Sequence, residues 1–121
     1  MEVLKLEKLV INGGTRLKGE VTIGGAKNAA VAILPATLLL NGIYTINNLP
    51  NISDVKITCD ILQDLGAKIT WNGDHEIVID TREVDGKAAP IDKTSKFRAS
   101  YYLIGAMLGR RGQIEVGLPG G

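Results

Sequence analysis

Two helix starts that carry cations are the clearest candidates for chemistry in this sequence. Residues 26–40 and 96–110 are each predicted to form a helix that is apolar nearly all round. Lys27 begins the first helix, and Lys96 with Arg98 begins the second. A cation at the positive end of a helix dipole is unfavourable by about 0.3–1 kcal/mol unless an anion lies beside it. The pattern therefore predicts an anionic ligand.

A short glycine-rich loop leads into the first of these helices. Gly24 and Gly25 precede Ala26, Lys27 and Asn28. Free backbone N–H groups at a helix start bind phosphate or carboxylate, and a lysine adds charge-assisted hydrogen bonds. The alternative is that Lys27 is a solvated surface cation, and that Arg98 makes a surface ion pair worth about 0–1 kcal/mol.

The other reactive residue types are weaker candidates. Cys59 lies on the apolar face of a predicted helix, which indicates a buried and inert thiol. His75 follows the turn at Asn72–Gly73–Asp74 and is expected to be solvated. One cysteine and one histidine cannot form a zinc site of cysteines and histidines. Nothing in the sequence implies another metal or a bound cofactor.

The elements that must position these residues alternate between strands and helices. A third helix, residues 53–65, is predicted to be capped by Ser53 and Asp54, with Gly66 as its stop. The turn signals and apolar runs predict strands at 8–11, 19–23, 43–46, 68–71, 76–79 and 113–116, with 81–94 irregular. The order predicts a mixed α/β (α+β) class, with an internal structural repeat and crossovers where helices intervene.

Length and composition exclude several classes of protein. The chain has 121 residues, 45% of them hydrophobic, which favours one globular domain over a disordered chain. A net charge of +1 and 4% aromatic residues argue against nucleic-acid binding. Residues 29–40 are apolar, but a bilayer span needs about 20 residues, and Pro35 interrupts this stretch. We therefore expect no membrane segment and a cytoplasmic location.

Several motifs, spread over the whole chain, resemble one known family. The first is residues 19–30, which contain Gly-Gly-Ala-Lys-Asn. Four further motifs follow in the family's order: Ser53–Asp54–Val55, Leu65–Gly66–Ala67–Lys68, Phe97–Arg98–Ala99–Ser100 and Leu118–Pro119–Gly120–Gly121. The family is the enolpyruvyl transferases that act on UDP-N-acetylglucosamine. The sister family that makes 5-enolpyruvylshikimate 3-phosphate has serine-rich residues around its lysine, whereas Asn28 follows Lys27 here.

The resemblance implies a fold built from repeats of strand, helix, strand, helix and two strands, with helices inside and sheets outside. Residues 1–25 would belong to a second domain, and residues 26–121 would form the first part of the catalytic domain. The remainder of the same polypeptide is then a required partner. Family members are much longer, so we expect this chain to be a fragment that is inactive by itself.

The resemblance also implies a reaction and its residues. The family transfers the enolpyruvyl group of phosphoenolpyruvate to the 3-hydroxyl of UDP-N-acetylglucosamine, the first committed step of bacterial peptidoglycan synthesis. It thereby serves cell-wall biogenesis, cell shape and cell division. Lys27 is then catalytic, Lys27 and Asn28 bind phosphoenolpyruvate, and Arg98 binds the nucleotide sugar. A general acid would follow Gly121. The alternatives are an enzyme like 5-enolpyruvylshikimate-3-phosphate synthase, or a non-catalytic anion-binding module.

Overall fold

The computed structural model describes residues 6–86, 89–95 and 101–118. The helices are α1 (Lys27–Ala36), α2 (Ser53–Asp64), α3 (Ile91–Thr94) and α4 (Tyr101–Arg111). The strands are β1 (Ile43–Ile46), β2 (Lys68–Trp71) and β3 (Ile77–Asp80). Among the described residues, no helix combines the length and the apolar character needed to cross a bilayer.

The three strands form one sheet in the order β1-β3-β2, and β3 is antiparallel to both neighbours. β1 and β2 therefore run in the same direction, and α2 makes the crossover between them. Ile79 of β3 lies opposite Tyr44 on one side and Ile69 on the other. Ile77 and Ile79 are fully buried, so alternate residues of β3 face the helices.

One core joins the sheet to the helices. Leu34 and Leu38 from the α1 segment, Ile61 and Leu62 from α2, and Met107 from α4 are all completely buried. The fold class predicted from the sequence, a mixture of helices and strands, is confirmed. Within this chain α1 and α4 each bury one face, while the large apolar side chains on their other faces remain exposed; these are Ile33, Tyr101, Tyr102 and Leu108.

Helix α1 ends earlier than the predicted Leu40. The α-helix stops at Ala36, and residues Thr37–Leu39 form one 3-10 turn. Pro35 has no N–H to donate to the preceding turn. The Thr37 hydroxyl donates to the Leu34 carbonyl at 2.7 Å, so this side chain satisfies an acceptor at the helix end.

The prediction that Ser53 caps α2 is wrong. The capping position is Ile52, which makes no side-chain capping bond, and Ser53 is the first helical residue. Asp54 remains in the first turn, as expected for an acid at the positive end of the dipole. Gly66 follows the helix with φ of 112°, in agreement with its predicted role as the stop.

Three of the predicted strands are not formed in this structure. Residues 8–11 and 19–23 pair with no other described strand and are exposed, because a strand exists only where a neighbouring strand accepts its hydrogen bonds. In the predicted strand 113–116, only one residue makes a described backbone pairing: the Glu115 carbonyl accepts from the Ala89 N–H at 2.9 Å. Residues 91–94, expected to be irregular, form α3.

The remaining elements lie close to their predicted positions. Strands 43–46 and 68–71 are confirmed, and the strand predicted at 76–79 is shifted by one residue. The hairpin turn is confirmed by a bond from the Asn72 N–H to the Glu76 carbonyl at 2.9 Å. The predicted helix 96–110 is observed as α4 over its described part, and its first residues, 96–100, lie outside the described residues.

Candidate functional site around the start of helix α1

Lys27 is the first residue of α1, as the sequence predicted. Ala26 holds the capping position in an extended conformation and has no side chain that could bond to the first turn. The first turn contains no acidic residue. The N–H groups of this turn therefore lack a side-chain acceptor from the helix itself, which is the local arrangement that favours an anion.

The Lys27 ammonium is paired with a carboxylate of the neighbouring helix. Its Nζ lies 2.6 Å from Oδ2 of Asp54, in the first turn of α2. The Lys27 side chain is 59% exposed, whereas that of Asp54 is 23% exposed. The Asp54 carboxylate therefore supplies, on at least one side of the ammonium, the anion that is expected at this helix start. Sequence reasoning had assigned Asp54 only to the dipole of its own helix.

The glycine-rich loop packs against the segment between β1 and α2. A Cβ built on Gly25 would overlap the carbonyl oxygen of Asn48 and would lie 3.4 Å from Cδ of Pro50. Asn48 itself has a positive φ of 57°. Gly24, by contrast, faces open space. Gly25 is therefore required for the close approach of two backbones, which sets the distance between the loop and the start of α2.

His75 makes two hydrogen bonds to Leu49, which lies in the same segment between β1 and α2. The Leu49 N–H donates to the His75 carbonyl at 2.9 Å, and Nδ1 of His75 lies 2.6 Å from the Leu49 carbonyl. A carbonyl only accepts, so Nδ1 carries the proton. The residue is exposed, as predicted, but its ring makes a specific bond that the turn signal did not reveal. The hairpin turn is thereby tied to the loop beside α1.

Of the other two predicted site residues, only Asn28 lies among the described residues. Asn28 follows Lys27 in the first turn of α1 and is exposed, so its amide is accessible beside the ammonium. Arg98 lies outside the described residues, and its expected role in ligand binding stays a prediction. Cys59 is buried, as predicted, and burial together with the charge of Asp60 raises the pKa of its thiol to about 12.

A separate concavity has a lining that does not include Lys27. A cleft of about 460 Å³ opens between α2 and the β2–β3 hairpin; it is lined by Asn51, Lys56, Cys59, Asp60, Trp71, Gly73 and Asp74. The exposed lysine at an uncapped helix start is a better site for anion chemistry than this cleft, where two carboxylates line the wall with one lysine. Among the described residues, no group of three or more His, Cys, Asp and Glu side chains could hold a metal ion.

Arg110 is an organising residue that the sequence did not identify. Its guanidinium donates to the carbonyls of Leu38, Thr81 and Val84 at 3.0, 2.8 and 3.1 Å. It also donates to Oδ1 of Asn41 at 2.6 Å. One side chain thus connects the end of α4 to the segment after α1 and to the loop after β3. Its role is to hold helices and sheet together.

Comparison with known proteins gives consistent results. Residues 11–121 match the family model described as EPSP synthase (3-phosphoshikimate 1-carboxyvinyltransferase). The chain is 50% identical over 117 residues to a protein of Lactococcus lactis, and 51% identical over 115 residues to one of Staphylococcus aureus. A Bacillus anthracis protein is 47% identical over 116 residues. All three are named UDP-N-acetylglucosamine 1-carboxyvinyltransferase 2.

These relatives are much longer than the chain. The alignments cover 95–96% of this chain but only 27–28% of each relative. The structure also resembles the crystal structure of the enolpyruvyl transferase NikO from Streptomyces tendae, with a TM-score of 0.70 and 29% identity. That likeness covers 83% of this chain and 23% of the NikO chain.

Proposed function

The chain belongs to the EPSP synthase family of enolpyruvyl transferases, and from this membership we propose its activity. It is part of an enzyme that transfers the enolpyruvyl group of phosphoenolpyruvate to the 3-hydroxyl of UDP-N-acetylglucosamine. The observation that carries the proposal is 50% identity over 96% of the chain to a protein named for this transfer. Because the chain spans about 28% of that relative, the activity is proposed for the longer protein that contains it.

The proposed reaction is an addition followed by an elimination. The sugar hydroxyl gives up its proton as its oxygen forms a bond to carbon 2 of the enol, and carbon 3 gains a proton. The bond from carbon 2 to the phosphate oxygen then breaks, and carbon 3 loses a proton as phosphate leaves. Negative charge on the phosphoryl group must be stabilised throughout, so the site needs a cation and hydrogen-bond donors that are already in place.

Lys27 supplies that cation in our proposal. Its side chain is more than half exposed, and it lies at a helix start whose N–H groups lack a side-chain cap. The phosphoryl oxygens of phosphoenolpyruvate would receive charge-assisted hydrogen bonds from Lys27 and the dipole of α1. The exposed amide of Asn28 would donate to the same group. Arg98 is proposed to bind the nucleotide sugar through its diphosphate, where a planar guanidinium fits well.

Residues 1–25 are proposed to belong to a second domain formed by the rest of the polypeptide. In the described part of this segment, residues 6–24 are exposed and unpaired. Residues 9–11 are an apolar run, and residues 20–23 alternate between polar and apolar side chains. The large apolar side chains of both stretches are exposed, as expected for strands that need a sheet to cover them; these are Leu9, Val10, Ile11, Val21 and Ile23. Residues 26–121 would then form the first part of the catalytic domain.

The biological assignment follows from the proposed substrates. Transfer to UDP-N-acetylglucosamine would commit this nucleotide sugar to peptidoglycan, in the bacterial cytoplasm where such substrates are made. Cell-wall biogenesis, and with it cell shape and division, would depend on the enzyme. A transferase acting on a shikimate phosphate is the second candidate, favoured by the description of the matching family model. Asn28 after Lys27 favours the nucleotide sugar.

The experiment uses the full-length protein that contains this chain. Phosphate release from phosphoenolpyruvate is measured with UDP-N-acetylglucosamine and, separately, with shikimate 3-phosphate as acceptor. We expect turnover with the nucleotide sugar only. Turnover with shikimate 3-phosphate alone would select the second candidate. Turnover with neither, together with tight phosphate binding, would indicate the anion-binding module.

The role of Lys27 is tested in the same assay. Removing one electrostatic donor to a transition state lowers turnover by about 100–1000-fold, and we expect this loss in Lys27→Ala. Lys27→Arg keeps the charge but changes its geometry, so it should retain more activity. Arg98→Ala should chiefly raise the KM for the nucleotide sugar, because Arg98 binds ground and transition states alike. Wild-type kcat/KM in Lys27→Ala would refute the proposed role.

A further inference from the structure

Asp54 holds the Lys27 ammonium from a rigid position. Its carboxylate reaches across from α2 to α1, with Oδ2 at 2.6 Å from Nζ. The turn that carries Asp54 is anchored in the core by Val55, which is fully buried, and by Thr58, whose hydroxyl donates to the Asp54 carbonyl at 2.7 Å. The aspartate has a short side chain on a fixed helix, whereas lysine has four rotatable carbons. The carboxylate therefore determines where the ammonium lies.

The ion pair between Lys27 and Asp54 also restricts which anions can bind at this helix start. The Asp54 side chain is mostly buried, but Lys27 presents more than half of its surface to solvent. An anion can therefore reach the ammonium from the open side, and it then lies close to the Asp54 carboxylate. Two like charges near one cation repel each other. An anionic ligand must share the ammonium with Asp54 or displace it.

We propose that Asp54 is a positioning residue for Lys27 that also weakens the binding of phosphate groups at this site. The inference rests on the proposed function, because it assigns a substrate phosphoryl group to Lys27. Asp54 fixes the ammonium for turnover and competes with the anion in the ground state. Removing the carboxylate should therefore lower kcat and raise the affinity for anions.

The test compares Asp54→Asn with Asp60→Asn in the full-length protein. Asp60 lies on the same helix, is exposed and faces the other cleft, so its variant controls for a general change in charge. In Asp54→Asn we expect kcat to fall by up to about 100-fold, the loss that a misplacement of about 1 Å can cause. We expect the KM for phosphoenolpyruvate and the inhibition constant of inorganic phosphate to fall several-fold. Asp54→Glu should recover part of kcat.

Three outcomes would overturn the inference. Unchanged kcat and unchanged phosphate inhibition in Asp54→Asn would show that the pair has no functional role. A raised KM with an unchanged kcat would assign Asp54 to substrate binding instead. If Asp54 had only a structural role, Asp54→Asn would show a lower thermal midpoint and weaker phosphate binding, and this result would also contradict the inference. If Asp54→Asn is unstable, Asp54→Ser provides the same comparison, because serine is well tolerated at helix starts.

A separate binding arm distinguishes this inference from the proposed function. Inorganic phosphate is titrated by calorimetry into wild type, Asp54→Asn and Lys27→Ala, with no turnover required. Tighter phosphate binding in Asp54→Asn and weaker binding in Lys27→Ala would support the competition between anions even if the wild type transferred no enolpyruvyl group. Equal phosphate affinity in all three proteins would refute the inference, even if the wild-type enzyme were fully active.

Discussion

Replacing Gly25 by alanine tests whether the contact between the glycine-rich loop and the β1–α2 segment is as tight as the structure indicates. The added Cβ would lie 3.0 Å from the carbonyl carbon of Asn48 and closer still to its oxygen. Real Cβ atoms essentially never approach other atoms so closely. The obstacle is backbone, which cannot rotate away as a side chain can. The loop or the start of α1 must therefore move.

The expected change in the free energy of unfolding combines two opposing effects. Overpacking of this kind destabilises a protein by about 1–3 kcal/mol, and a rigid obstacle favours the upper part of that range. Alanine also stabilises by about 0.4–1 kcal/mol by restricting the unfolded chain, where the native backbone tolerates it. We expect a net loss of about 2 kcal/mol, which lowers the urea midpoint by about 1–2 M at the m values of small domains.

The control is the adjacent glycine. A Cβ on Gly24 would meet no atom within 4 Å, so Gly24→Ala should change the free energy of unfolding by no more than about 0.5 kcal/mol. Both variants are measured by urea denaturation of the chain and, in the full-length protein, by the kcat of the proposed transfer. Equal stability of Gly24→Ala and Gly25→Ala would refute the close approach at Asn48.

Three further predictions concern single side chains. Arg110→Met should lower the free energy of unfolding by about 1–3 kcal/mol, because the acceptors bonded by the guanidinium lose their donor. The exposed neighbour Arg111→Met should change it by no more than about 0.5 kcal/mol in the same urea titration. Cys59, whose thiol pKa is raised to about 12, should react with iodoacetamide at pH 8.5 far more slowly in the folded chain than in urea, and equal rates would contradict its burial. Hydrogen bonds from Arg82 lower the pKa of Asp80 to about 2, so its stabilising contribution is present above its ordinary pKa of 3.8 and is lost as the pH falls through 2. Asp80→Asn should therefore flatten the loss of stability between pH 4 and pH 2, as followed by denaturation at each pH.

Family membership was predicted from motifs and is confirmed by the family model and the relatives. In one of the motifs the structure shows why a particular residue type is needed. That residue is Gly25, since the close approach to Asn48 leaves no room for a side chain. The assignment of residues 1–25 to a second domain and the roles of Lys27, Asn28 and Arg98 are not tested by these comparisons and stay predictions.

Local patterns along the chain determined α1, α2 and the three strands to within a few residues, since helix and strand periodicity are properties of neighbouring positions. They also determined that a helix begins at Lys27. The predicted strands 8–11 and 19–23 failed because a strand depends on a partner that periodicity within the segment does not specify.

Only the tertiary structure decided which side chains meet. The pairing of Lys27 with Asp54 and the bond from His75 to Leu49 each join residues that are 26 or more positions apart. Arg110 is 72 positions from Leu38, yet its guanidinium donates to that carbonyl. Such contacts depend on how helices and sheet pack around the core, and packing follows from the whole set of buried side chains rather than from any one segment.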